Sequence, residues 1–225
     1  MSSLFAAVEG PLSVSIGGGS SALKLFLLIT ALSFAAAALI SITSFTRIVI
    51  VLSFLRQALG TPQLPPNQVV IALSLALTAF VMAPTFGVVN EQAVSPYLED
   101  RISGQEALDR GSAPVLQFLL KQTRPDDLRL FYELSHRARP TRAEEVPLTV
   151  AVPAFMVSEL TTAFRMGLFI FIPLLLVDLL VSSVLMALGM MMVPPTLVSL
   201  PLKVGIFLLA DGWHLLVQSL VRSFS

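Results

Sequence analysis

Apolar residues fall into long blocks along the chain, separated by brief Pro- and Gly-rich stretches and by one polar segment. The first block covers residues 23–59, and residues 22–42 alone hold the roughly 20 apolar positions that a bilayer-crossing helix requires. GTPQLPPNQ, residues 60–68, carries the glycine and proline that end a helix. A second span follows over residues 69–89, with interruptions expected at Pro84 and Gly87. Residues 22–89 therefore read as a helical hairpin, preceded by a flexible lead over residues 1–21. Residues 148–192 form a block about twice as long as a span, which Pro153 and Pro173 are expected to break. After Pro194, Pro195 and Pro201 a last apolar segment covers residues 202–221, so residues 148–225 read as a second broken hairpin. The two halves share one plan, with no clear sequence repeat.

Between them, residues 90–147 predict a small helical insert. SGQE, residues 103–106, fits a capping box, with Gly111 as the stop of a short helix. Pro114 suits the first position of a helix over PVLQFLLKQ, and Pro125 opens another, where Asp126 and Asp127 complement the helix dipole. Leu128, Phe131, Tyr132 and Leu134 give that helix an apolar stripe. A segment this short is small for an independent core, so it leans on itself, on copies of itself, or on the apolar part.

Composition sharpens this picture. Hydrophobic residues make up 55% of the 225, mean hydropathy is +0.85, and only 12% are charged, about half the share of a soluble domain. Of the 28 formal charges, 18 lie in residues 90–147. The formal net charge of zero argues against a nucleic-acid footprint. There is no cysteine, which excludes disulfides, thiolate metal sites and cysteine nucleophiles. Arg47, Arg56 and Lys203 lie near the two Pro-rich turns, which places those turns on the cytoplasmic side and the insert with both termini outside. The first 21 residues lack the basic stretch that opens a secretory leader; Lys24 with LFLLITALSFAAA comes nearest to one.

Six charges sit within the apolar regions: Arg47, Glu159, Arg165, Asp178, Lys203 and Asp211. Each costs about 2.5–3.5 kcal/mol at a lipid-facing helix centre, so three cations and three anions point to pairing against protein. Glu159 and Arg165 are six apart and do not share a helix face, so their partners come from other helices or other chains. Together with the many Pro, Gly, Ser and Thr residues, this predicts an oligomer with other membrane subunits. HExxH, CxxC, the Walker loop and GxSxG are absent, and GGGS at residues 17–20 lacks the Lys of a phosphate loop. An Asp178–Asp211 dyad is the one imaginable catalytic pair, and enzyme is the weakest reading.

Three stretches carry a resemblance. TSFTRIVIVLSFLRQALGTPQLPPNQV (residues 43–69), SELTTAFRMGLFIFIPLLLVDLLVSSVLMALGMMMVPP (158–195) and LPLKVGIFLLADGW (200–213) resemble the FliP family of flagellar export-gate proteins and their injectisome counterparts, the SctR family. The similarity starts near residue 15, includes EDRISGQEALDRG, and in TPQLPPNQ is closer to flagellar members. The resemblance implies type III protein export. Copies, as a pentamer, assemble with FliQ-like and FliR-like subunits at the flagellar basal body, forming the channel entrance through which unfolded flagellar proteins cross the bacterial inner membrane. The insert is then periplasmic, and the hairpins stack into a helical assembly largely above the bilayer plane. No cofactor, metal or catalytic residue is called for.

The resemblance also assigns roles. Met190, Met191 and Met192 match a methionine gasket that closes the pore, and the thioether's softness suits a seal that yields to a passing chain. Pro173, Gly189, Pro194 and Pro195 are candidate hinges. Arg47, Glu159, Arg165, Asp178 and Lys203 are candidates for locking helices and subunits together. Phe118 and Phe131 are candidates either for contacts between copies or for the insert's own core. Two departures stand out. Relatives commonly carry a cleavable leader, whereas this chain starts near the mature segment. Where the family reads SELKTAFQIG, this chain reads SELTTAFRMG, so the cation is expected to have moved one turn, from position 161 to Arg165, keeping a partner such as Glu159 on a neighbouring helix. The open alternatives are a secondary transporter with Asp178 or Glu159 carrying protons, and a scaffold without a pore.

Overall fold

The computed structural model describes residues 19–61, 65–136, 140, 142, 145–190 and 192–224. Among these residues every regular element is helical. The elements are α1 (Gly19–Ser41), α2 (Phe45–Ala58), α3 (Asn67–Val89), α4 (Ser95–Leu98), α5 (Gly104–Gln122), α6 (Pro125–Leu134), α7 (Leu148–Ala187), α8 (Pro195–Leu209) and α9 (Gly212–Arg222), with one π-helical turn, Asn90–Val94, joining α3 to α4. Among the described residues three helical runs are long and apolar enough to cross a membrane, and a fourth arises if the bent pair α8 and α9 counts as one span. The chain is an all-α membrane protein.

Two units are distinct, residues 1–39 and residues 40–225. The first holds nearly all of α1, an apolar helix whose described side chains are almost all exposed. The second is organised on α7, a helix of 40 residues. Alongside it α2 buries Ile48, Val51, Leu52, Leu55 and Ala58, a stripe of helical period, in a core that Val70 of α3, Ala163 and Leu174 of α7, and Leu216 and Leu220 of α9 complete. Gly167 marks a close approach, since a Cβ there would lie 2.6 Å from Cγ and Cδ2 of Phe54. A second core joins Leu119 of α5 and Tyr132 of α6 to Val150, Ala151 and Phe155 at the start of α7. The insert is thus folded onto the long helix rather than standing alone, as its small size requires.

Several expected breaks are not breaks. Pro84 lies inside α3, Pro114 inside α5, and Pro153 and Pro173 inside α7. Membrane helices tolerate such prolines where neighbours and local adjustments satisfy the freed carbonyls. α3 continues through the π turn to Leu98, so a boundary at Asn90 falls within a helical run. Gly111 does not stop α5; it lets that helix approach the π turn, where a Cβ would meet Ala93 Cβ at 3.3 Å. Half of the capping box forms: Ser103 Oγ accepts from the Glu106 N–H at 3.2 Å, while the Glu106 carboxylate takes Arg110 instead, and Pro125 opens α6 as predicted. The real interruptions are at residues 42–44, between α1 and α2, and at Asp211, where the last apolar segment bends by 65°.

The candidate pore loop and the ion pairs behind it

The chain between α7 and α8 makes a tight turn whose form is dictated by three residue types. Gly189 adopts φ +74° just past α7, its N–H bonding Met186 O while the Met190 N–H bonds Leu185 O. That is the Schellman arrangement, which a residue with a Cβ enters only at a cost. Pro194 and Pro195 then start α8, since proline fits the first helical position and cannot extend a preceding helix. Off the helix, adjacent methionines are freed from the roughly 100° spacing that a helix imposes. Met190 is 44% exposed and Met192 96%; Met191 lies outside the described residues. Of the other candidate hinges, Pro173 sits within the continuous α7.

Behind the loop, α7 and α8 are tied by a polar rung. Lys203 Nζ, buried on α8, donates to Asp178 Oδ2 at 2.5 Å, and Ser199 Oγ donates to Asp178 Oδ1 at 2.6 Å. Lys203 also donates to Ala58 O at 2.9 Å, a carbonyl at the C-terminal end of α2, where the helix dipole favours a cation. One ammonium therefore fastens the loop hairpin to the first hairpin.

A second node is built on Arg47 of α2, 2% exposed, against Glu159 of α7, 0% exposed. Nε–H donates to Glu159 Oε2 at 2.9 Å, and Nη2 donates to Glu159 Oε1 and to Gln122 Oε1. Nη1 donates to Ser223 O at 2.8 Å and to Ser223 Oγ at 2.9 Å. All five guanidinium N–H groups are thereby placed, which a buried arginine needs. The Phe224 ring lies 3.9 Å from the guanidinium carbon, a cation–π contact. The partners stand 112 and 176 residues from Arg47, so no local pattern announces them.

A third node was not foreseen from the sequence. Asp127, read there as a dipole-complementing residue, is buried and receives Arg124 Nε at 2.7 Å, Arg124 Nη2 at 2.9 Å and Ser158 Oγ at 2.5 Å. Ser158 in turn accepts from the Arg124 N–H at 2.9 Å, and Thr161 Oγ1 accepts from Arg124 Nη2 at 3.1 Å. This latch docks α6 on α7. Burial raises the Asp127 pKa, but the hydrogen bonds from Arg124 and Ser158 and the charges of Arg124 and Arg165 outweigh it, leaving the carboxyl below its usual value.

Arg165 lies near the latch. It is exposed, and its field acts on Asp127, not on Glu159. Glu159 lies on the same helix six residues earlier, turned well away, and is held by Arg47. Phe118 and Phe131 are half-buried in the chain's own second core; Phe118 packs on Phe155 with centroids 5.9 Å apart and on Phe224 at 6.5 Å. Within the chain both side chains thus line the insert's own core, Phe118 from α5 and Phe131 from α6. Asp178 pairs with Lys203, while Asp211 is exposed at the elbow. Among the described residues no group of three or more His, Asp or Glu side chains is placed to hold a metal.

Comparison with known proteins gives one consistent result. The model of the FliP family matches residues 28–220. The chain is similar to the flagellar biosynthetic protein FliP of Bacillus subtilis (strain 168), 51% identical over 205 residues, covering 91% of this chain and 93% of that one. It is 52% identical to the protein of the same name from Pectobacterium carotovorum subsp. carotovorum, over 92% of this chain and 81% of that one. With that of Aquifex aeolicus (strain VF5) the identity is 47% over 95% and 91%.

Proposed function

This chain belongs to the FliP family, and from that premise we propose that it is a core subunit of the flagellar type III export gate. In this reading it forms the channel entrance through which unfolded flagellar proteins leave across the bacterial inner membrane. Copies assemble as a pentamer, joined by FliQ-like and FliR-like membrane subunits, at the flagellar basal body. The insert faces the periplasm. The work is physical and not chemical: a closed ring that opens.

The observation that carries the reading is the exposed thioether turn mounted on a hairpin whose base is pinned by Asp178 and Lys203. Repeated around an axis, Met190, Met191 and Met192 supply a soft apolar constriction, which excludes water while shut and deforms around a passing chain. A proton-carrying transporter is less well supported, because Glu159 and Asp178 are each held by a cation within the subunit. Two measurements test the proposal. The detergent-extracted mass should rise from the chain alone to a large complex when FliQ-like and FliR-like subunits are co-expressed. Replacing the three methionines with glycine should leave that complex intact and make it leak small solutes. A complex that assembles and stays tight without the methionines overturns the gasket.

A further inference from the structure

We propose that α9 is a hinged strap, turning about Asp211–Gly212 and clasped shut at its far end by the Arg47 guanidinium through Ser223 and Phe224. At the near end, Asp211 holds φ +51° and ψ +46°, a left-handed conformation that among residues with a Cβ suits aspartate and asparagine best, and the chain turns by 65° there. Gly212 follows because the Phe207 ring lies over it; a Cβ would come within 2.3 Å of Cε2. The bend is thus made by two residues, with no side-chain cap on α9.

Along its length α9 is held by a narrow stripe, Leu216 and Leu220, continued by Phe224. The polar clasp lies beyond the helix. Two of the five Arg47 N–H bonds go to Ser223, the Phe224 ring covers the guanidinium, and Gln122 Nε2 donates to Phe224 O at 3.0 Å. A hinge at one end, a zip of three side chains and a multi-point catch at the other is the construction of an element that moves as a unit. Closed, it completes the coordination of a buried cation. Open, it uncovers the α2 side of the core, where Ile48, Val51, Leu52 and Leu55 lie, while Arg47 keeps its pair with Glu159.

The geometry fixes the size of the motion. Eleven helical residues span about 16 Å, so straightening the 65° elbow carries the far end about 18 Å. The absence of native cysteine makes site-directed spin labelling clean. Labels replace exposed Arg222 on α9 and exposed Gln57 on α2, in the full chain within its extracted complex, with labelled copies diluted in excess unlabelled chain so that a complex holds one labelled copy. A control pair replaces Leu108 and Phe169, exposed on α5 and α7. The unaltered clasp should give one narrow distance. Phe224→Ala should add a second population displaced by up to about 18 Å, at least tenfold more abundant than before, with the control pair unchanged. Phe224→Leu, which keeps apolar contact and removes only the ring over the cation, should give a smaller second population. A single narrow distance in both variants overturns the strap. Broadening of both label pairs together also overturns it, because the clasp then holds the whole fold and not one element.

Discussion

Replacing Glu159 with leucine is the sharpest test of what the buried ion pairs do. The change roughly keeps the volume, yet it leaves a guanidinium 2% exposed without its counter-charge and with two of five N–H groups unplaced. Ser223 and Gln122 still accept the other three bonds, so the arginine remains anchored while uncompensated. Breaking one side of a buried pair costs about 3–5 kcal/mol. For a chain of this size that corresponds to a fall of about 10 °C in Tm. Arg47→Leu should do similar damage from the other side. The double variant, two leucines facing each other, should melt well above either single one, since apolar replacement of a whole buried pair is often close to neutral. The coupling between the two sites should be about 2–4 kcal/mol. The single tryptophan, Trp213 beside the α8–α9 elbow, reports unfolding in detergent by its fluorescence. Additive losses in the double variant, or single variants that melt within about 3 °C of the parent, refute the reasoning.

Other outcomes follow from local geometry. Gly167→Ala places a methyl against Cγ and Cδ2 of Phe54 and should cost about 1–3 kcal/mol in detergent melting, with Phe54→Leu in the same chain recovering part of the loss. Gly189→Ala meets open space but an unfavourable φ, so it should cost about 1 kcal/mol, with Gly189→Asn milder and Gly189→Val worse; equal losses in all three would contradict the Schellman turn. Asp127 has a folded pKa below its unfolded one, so its latch is fully stabilising above the unfolded carboxyl value and is lost as pH falls through the lower folded value. Asp127→Asn should therefore lower stability at neutral pH and flatten its decline below about pH 4, read as Tm against pH.

The helical hairpins, the loop after Gly189, the burial of Arg47, Glu159 and Lys203 and the pairing of Asp178 were legible, because charge within an apolar block has few physical solutions. Which charge meets which was not: Arg47 and Glu159 are 112 residues apart, and only the docking of α2 on α7 brings them together. Proline misled the reading of Pro114, Pro153 and Pro173, because a packed helix absorbs a missing N–H that would end an isolated one. The bend that does occur carried a signal, the Asp211–Gly212 pair, a dipeptide that marks turns but was outweighed by the apolar run around it. Asp127 was hidden for the opposite reason. Its position in the first turn of α6 already had a sufficient local explanation, so the contact with Ser158 across 31 residues left no trace in the sequence.

The continuity of α7 has a mechanical consequence. The insert is latched at Ser158, and the methionine turn begins at Gly189, 31 residues further along one unbroken helix. At 1.5 Å per residue that is a lever of about 47 Å. A tilt of only about 5° at the latch sweeps the tip through about 4 Å. A push on the polar segment thus has one continuous helix through which to reach the thioethers.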